Sequence, residues 1–164
     1  MSYNSRMKRK TEKYTLIIRN KSNIKSRQWW KKKLNFFIKI LPGYISKNKL
    51  KLVQKSTFTL LITSNPEIKK LNLKFRGKNK ETDVLAFPYK ARTFKTTKYL
   101  GDIVISLYEA IKNAKQNNLS LEVELLMLLI HGYLHLLGYN HKNKKEAKSM
   151  FSLQNGLLIE LIYF

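Results

Sequence analysis

Short runs rich in β-branched and aromatic residues mark four strands, over residues 14–19, 56–63, 83–87 and 101–106. Between the first two, residues 28–40 repeat apolar positions at helical spacing. Trp29, Trp30, Leu34, Phe37 and Ile38 supply one face, Lys31, Lys32 and Lys33 lie mostly outside it, and Pro42-Gly43 is the stop. A short helix follows the second strand, capped by Asn65 with Pro66 at its first position, and runs to about Leu73. Beyond the fourth strand the pattern turns helical. Residues 107–117 are amphipathic, with Ala110, Ile111 and Ala114 facing inward. The next helix starts from a cap at Asn118 or Ser120 and ends near Leu137, where Gly138 is placed to stop it in a left-handed conformation. Its stretch 121–130 is apolar nearly all round, so it is expected to be a buried central helix, with Glu122 and Glu124 favouring the dipole of its first turns. A last helix spans about 144–162. Strands early and helices late point to an α+β domain.

The length of 164 residues suits one domain with its own core. No repeat, Gly/Ser linker or low-complexity block divides the chain, so the expectation is a single domain over residues 13–164 behind a basic, mobile extension over residues 1–12. The longest uninterrupted apolar run is residues 125–130, closed by His131 and well short of the ~18 residues of a membrane span. The basic N-terminus has no apolar stretch after it and does not read as a secretory signal. A soluble cytoplasmic protein is the expectation.

The candidate chemistry sits at the end of the apolar helix. All three histidines, His131, His135 and His141, fall within eleven residues. His131 and His135 are i and i+4, stacked on one helix face, and Gly138 lets His141 swing back toward the same point. With no cysteine in the chain, a metal here must be bound by His, Asp or Glu. Three neutral imidazoles with a fourth position open describe a catalytic zinc site, where water becomes a nucleophile. The spacing is that of the extended zincin motif H-E-x-x-H-x-x-G-x-x-H, except that Gly132 replaces the glutamate that serves metalloproteases as general base. That substitution moves the expectation from peptide hydrolysis to a reaction needing less help from a protein base, such as phosphodiester hydrolysis.

Three further sites bear on this reading. Arg76-Gly77-Lys78-Asn79-Lys80 forms a compact basic loop, in which Arg76 can grip a phosphate with two parallel hydrogen bonds; the alternative is a solvated loop. Asp102, at the start of the fourth strand, either orients a ligating imidazole through its free N–H or is a plain turn residue. Met150 either packs beneath the metal or fills the core, and the core is favoured.

The net charge of +23 comes from 33 basic and 10 acidic residues. Such a surface attracts polyanions with salt-dependent affinity. Only six of the basic residues are Arg, so drift toward AT-rich codons is an equal explanation of the excess. The field exists whatever its origin.

The segment 131–141, His-Gly-Tyr-Leu-His-Leu-Leu-Gly-Tyr-Asn-His, resembles the signature of the YbeY family of bacterial metallo-endoribonucleases. Residues 71–88 resemble the family's L-N-x-x-Y-R-G-K-D-K-x-T-D-V-L-S-F-P block, and residues 100–106 its L-G-D-I-V-I-S strand. The resemblance covers roughly residues 50–164 and includes Glu146-Ala147 ahead of Met150. It implies one zinc ion per chain on His131, His135 and His141, with Arg76 acting on the RNA backbone and Lys78 and Lys80 beside it. It implies a zincin-like fold, a small mixed four-stranded sheet with the histidine helix packed across it and helices flanking. It also implies a single-strand-specific endoribonuclease that matures the 3′ end of small-subunit ribosomal RNA, works with the small ribosomal subunit and takes part in ribosome quality control. Three positions depart from the family pattern: Asn140 for Asp, Phe75 for Tyr and Asn79 for Asp. Asn140 stands beside His141 and is, with Asp102, a candidate for orienting a ligand. Two other functions remain, a ribosome-assembly factor whose zinc is structural and a zinc peptidase.

Overall fold

The computed structural model describes residues 13–19, 26–89 and 99–164. The expected extension over residues 1–12 lies outside them. Four strands form one mixed sheet: β1 (Tyr14–Ile18), β2 (Thr57–Thr63), β3 (Val84–Pro88) and β4 (Tyr99–Ser106), in the order β1-β2-β4-β3. β1, β2 and β4 run parallel, and β3 pairs antiparallel with β4 as an edge strand. Six helices accompany the sheet: α1 (Arg27–Ile40), α2 (Lys47–Lys55), α3 (Asn65–Arg76), α4 (Leu107–Gln116), α5 (Leu121–Leu136) and α6 (Lys144–Tyr163). The mixed α+β architecture is the one expected.

Period-two alternation assigns the two sheet faces. Phe58, Leu60 and Ile62 of β2, with Tyr14, Leu16, Ile103 and Ile105, join the large core with α1, α5 and α6. The opposite face carries a small cluster of Leu85 and Val104 under Ile68 of α3, with Leu61, Leu71 and Phe87 against it. α5 packs on α4, α6, β3 and β4, and ten of its residues are buried. Ser120, rather than Asn118, caps it: the Ser120 hydroxyl accepts from the Val123 N–H at 3.2 Å. No single helix among the described residues is long and apolar enough to cross a membrane.

Several features differ from the expected ones: Ser64, not Asn65, is the N-cap of α3, and β4 starts at Tyr99 rather than Gly101. α3 continues to Arg76 because Gly77, at φ +67°, closes it with its N–H on the Leu73 carbonyl. Arg76 therefore stands on the last helical turn, not in the loop. α2 has no counterpart in the sequence reading; its lysine-rich segment buries Val53 alone and leaves little apolar period to detect.

β4 carries one extra residue near its start. Thr57 and Thr59 of β2 pair with Tyr99 and Asp102, so two steps on one strand oppose three on the other. Gly101 lies in this irregularity at φ +134°.

Candidate metal centre

The end of α5, the turn after it and the edge strand β3 meet in a cleft of about 470 Å³. His131 and His135 come from one face of α5. Gly138, at φ +81°, then reverses the chain, with the Tyr139 N–H bonded to the Leu134 carbonyl at 3.0 Å. The reversal brings His141 back: one ring nitrogen from each of the three histidines lies within 4.8 Å of the others. His131 and His135 are half-buried, and His141 is exposed. The convergence anticipated from the spacing is what the structure shows.

The imidazoles are oriented by their outer nitrogens. His135 Nδ1 donates to the Tyr139 carbonyl at 3.0 Å, and His131 Nδ1 to Gln154 Oε1 of α6 at the same distance. With the protons on Nδ1, each Nε2 offers its lone pair, and the two Nε2 atoms face each other at 3.1 Å. Burial, reinforced by the neighbouring His131, pushes His135 down to about 4; burial also lowers His131. Both rings are thus neutral ligands near pH 7. Facing lone pairs repel, and a shared cation removes the repulsion, so the donor set fits a metal ion.

Asp102 does not orient an imidazole. Its Oδ1 accepts from the Tyr99 hydroxyl at 2.6 Å, and it lies among Thr59, Leu61, Leu71 and Phe87 on the α3 side of the sheet. Regular alternation is the reason. Ile103 and Ile105 face the large core, so Asp102 shares the opposite face with Val104; the extra residue shifts only Leu100, which joins the core three residues before Ile103. Asn140 lines the cleft but bonds the Gly138 carbonyl at 3.5 Å, not a ring nitrogen. Met150 is fully buried in the core, as favoured. Phe151, one residue on, stacks on His141 with ring centroids 6.0 Å apart.

Arg76 lines the same cleft as the histidines. Its Nη2 donates to the Ala86 carbonyl at 3.0 Å on the open edge of β3, leaving the rest of its donors unused by that bond. Lys78 and Lys80 are exposed, outside the cleft wall, whereas Lys142, not singled out in the sequence, is part of it. Sequence reasoning also missed Gln154, Asp83 and Lys49. Gln154 had a signal: it interrupts the apolar stripe Met150, Leu157, Leu161 of α6. Lys49 of the unanticipated α2 donates to the Leu137 carbonyl, and its Nζ stands 4.4 Å from the Tyr139 ring centroid, bracing the turn that positions His135.

Gly132 has a packing role. A Cβ there would stand 2.7 Å from Ile103 Cγ2, so the glycine lets α5 lie close on β4. Gly132→Ala is expected to cost about 1–3 kcal/mol through overpacking. Urea unfolding checks this; an unchanged midpoint would mean that α5 can shift freely.

The site and sheet define an α+β protein with three histidines positioned to bind a metal ion at a sheet edge. The family model for Endoribonuclease YbeY matches residues 18–162. An Endoribonuclease YbeY of Sulfurihydrogenibium sp. is 37% identical over 156 residues, 94% of this chain and 97% of the relative. One from Pelagibacter ubique is 42% identical over 127 residues, 74% of this chain and 82% of the relative. A Thermotoga maritima protein solved in solution matches with a TM-score of 0.58 at 29% identity, covering 90% of this chain and 88% of that one. The chain belongs to the endoribonuclease YbeY family.

Proposed function

We propose that this protein is a zinc-dependent endoribonuclease that cuts single-stranded RNA. The observation that carries the reading is the pair of Nε2 atoms fixed 3.1 Å apart beside His141 and sharing one cleft with Arg76, in a chain of this family. Nitrogens bound about 2.0–2.1 Å from a tetrahedral zinc lie roughly 3.3 Å apart, so this pair suits zinc. His131, His135 and His141 would bind one such ion per chain. When bound, zinc acidifies water and neutralises charge developing on a phosphoryl group. The protein's own part is to seat the strand. Arg76, fixed by Ala86, presents its remaining guanidinium donors to a backbone phosphate. Lys142 adds charge at the cleft, and Lys78 and Lys80 extend it along the strand's path. Family membership supports the 3′ end of small-subunit ribosomal RNA, on the small ribosomal subunit in the cytoplasm, as the target. The packing of the histidine helix against an edge strand supports a zincin-like arrangement.

Peptide hydrolysis fits less well. A glutamate at position 132 has no room beside Ile103. An extended peptide added to the β3 edge would also compete with Arg76 for the Ala86 carbonyl.

The test is cleavage of a labelled single-stranded RNA before chelation, after it, and after zinc is restored. Cleavage should vanish and return, with a duplex of the same sequence spared. Arg76→Ala should retain zinc and lose about a hundred- to thousandfold in rate, the scale of one transition-state donor. Full-rate cutting by metal-free protein overturns the reading, as does turnover of peptides with RNA untouched. Zinc retained by a wild type that cuts nothing would mark an assembly factor instead.

A further inference from the structure

Water that attacks a phosphodiester must give up a proton, and the position of the usual glutamate base is Gly132. The cleft wall leaves few substitutes. Arg76 and Lys142 are donors only, and Asn140 has no basic nitrogen. The three imidazoles face their common point. Asp83, just ahead of β3, is the one carboxylate among the described residues of the wall. It is not one of the converging ligand groups.

Asp83 is well secured. Its Oδ1 accepts from the Val84 N–H at 2.8 Å and from the Thr82 hydroxyl at 3.2 Å, and its Oδ2 accepts from Asn113 Nδ2 at 3.1 Å. A carboxylate offers about four lone-pair sites, so these bonds fix its plane and leave Oδ2 one site for water. Its charge is felt at His131. Behind it, the Asn113 side chain of α4 also neighbours Glu124, which is 2% exposed and whose Oε2 has no hydrogen-bond partner. Burial, with the charge of Asp83, pushes the Glu124 carboxyl up despite the neighbouring Asn113 amide.

We propose that Asp83 is the proton acceptor of the cleft, positioned by the Asn113 amide. The proposal rests on the hydrolytic reading above. The water oxygen bonds to phosphorus as one water proton passes to Asp83 Oδ2. The bond from phosphorus to the leaving ribose oxygen breaks, and its electron pair stays on that oxygen, which takes a proton from solvent. Asp83 then returns its proton to solvent.

The experiment compares wild type with Asp83→Asn, Asp83→Gly and Asn113→Ala. It measures single-turnover cleavage of single-stranded RNA, zinc content, and RNA binding by anisotropy under chelation. Asp83→Asn should retain zinc, bind RNA at least as tightly as wild type, and lose roughly 10²–10⁴-fold in rate, the usual worth of a positioned acid or base. Formate should restore cleavage to Asp83→Gly in proportion to its concentration. Asn113→Ala should lose less, because two of the three bonds to the carboxylate remain. Asp83→Asn cutting at the wild-type rate overturns the proposal. So does loss of zinc in that variant, or a zinc-bound, RNA-bound Asp83→Gly that formate leaves inert. A wild type that cuts no RNA sinks the hydrolytic reading itself, a result distinct from a wild type and an Asp83→Asn that both cut.

Discussion

Replacing His135 with alanine is expected to abolish metal retention and RNA cleavage together. His135 joins two parts of the site: Nε2 faces His131 at 3.1 Å, while Nδ1 ties the ring to the Tyr139 carbonyl at 3.0 Å. Loss of a partner behind a ligand lowers metal affinity by roughly 10–100-fold, and loss of a ligand should exceed that. The fold should survive, since the unpartnered Tyr139 carbonyl costs only about 1–3 kcal/mol. Zinc content after desalting and cleavage of single-stranded RNA measure the two effects, and circular dichroism confirms the fold. Zinc bound at the wild-type level by the variant would remove His135 from the site. A pH dependence accompanies the change. In metal-free protein His135 titrates near 4, below the 6.5 of an ordinary histidine, so the unfolded state binds the proton first as pH falls. The contribution of the neutral ring is full above about pH 6.5 and is lost as pH falls toward 4. His135→Ala should flatten that part of the acid limb of a stability profile.

Gly101→Ala is expected to be the most damaging of the glycine-to-alanine changes. The backbone there has φ +134°, and an added Cβ would stand 2.1 Å from the Phe87 carbonyl oxygen. The Tyr89 N, at 3.0 Å, is a further contact, and both are backbone atoms beside the β3–β4 ladder, so neither yields without breaking it. A cost above about 4 kcal/mol is expected, the range tied to a single identifiable clash. Against a typical total of about 5–15 kcal/mol, that brings the protein close to unfolding. Because Val84, Ala86 and Pro88 form one wall of the cleft, cleavage should fall with it. Gly43→Ala is the control: nothing lies within 4 Å of a Cβ there, and its effect should stay within about 0.5 kcal/mol. Equal urea midpoints for the two variants would contradict the strain argument.

Much of the element order was legible because secondary structure leaves a local period. Strands β1 to β4 and five of the six helices lie near their expected places. α2 was not legible, since a helix burying only Val53 shows no stripe. The convergence of the three histidines was the clearest part of the site. An i, i+4 pair shares a helix face by geometry alone, and a glycine at the right distance returns the chain. Asp102 failed for the opposite reason. Alternation puts it on the face away from Ile103 and Ile105, but only tertiary packing shows that α5, with its histidines, covers the Ile103 face.

By itself, then, the sequence determined what nearest neighbours along the chain can determine: the histidine trio, the turn at Gly138, the missing glutamate at position 132 and the family resemblance. Tertiary structure decided which groups meet them. Gln154 reaches His131 from α6, Lys49 braces the turn from α2, and Arg76 crosses the β3 edge to the Ala86 carbonyl. It also gave Gly132 its second meaning, a close approach to Ile103. These pairings join different elements of the fold, and their register is set by packing in the shared core, which no local period encodes.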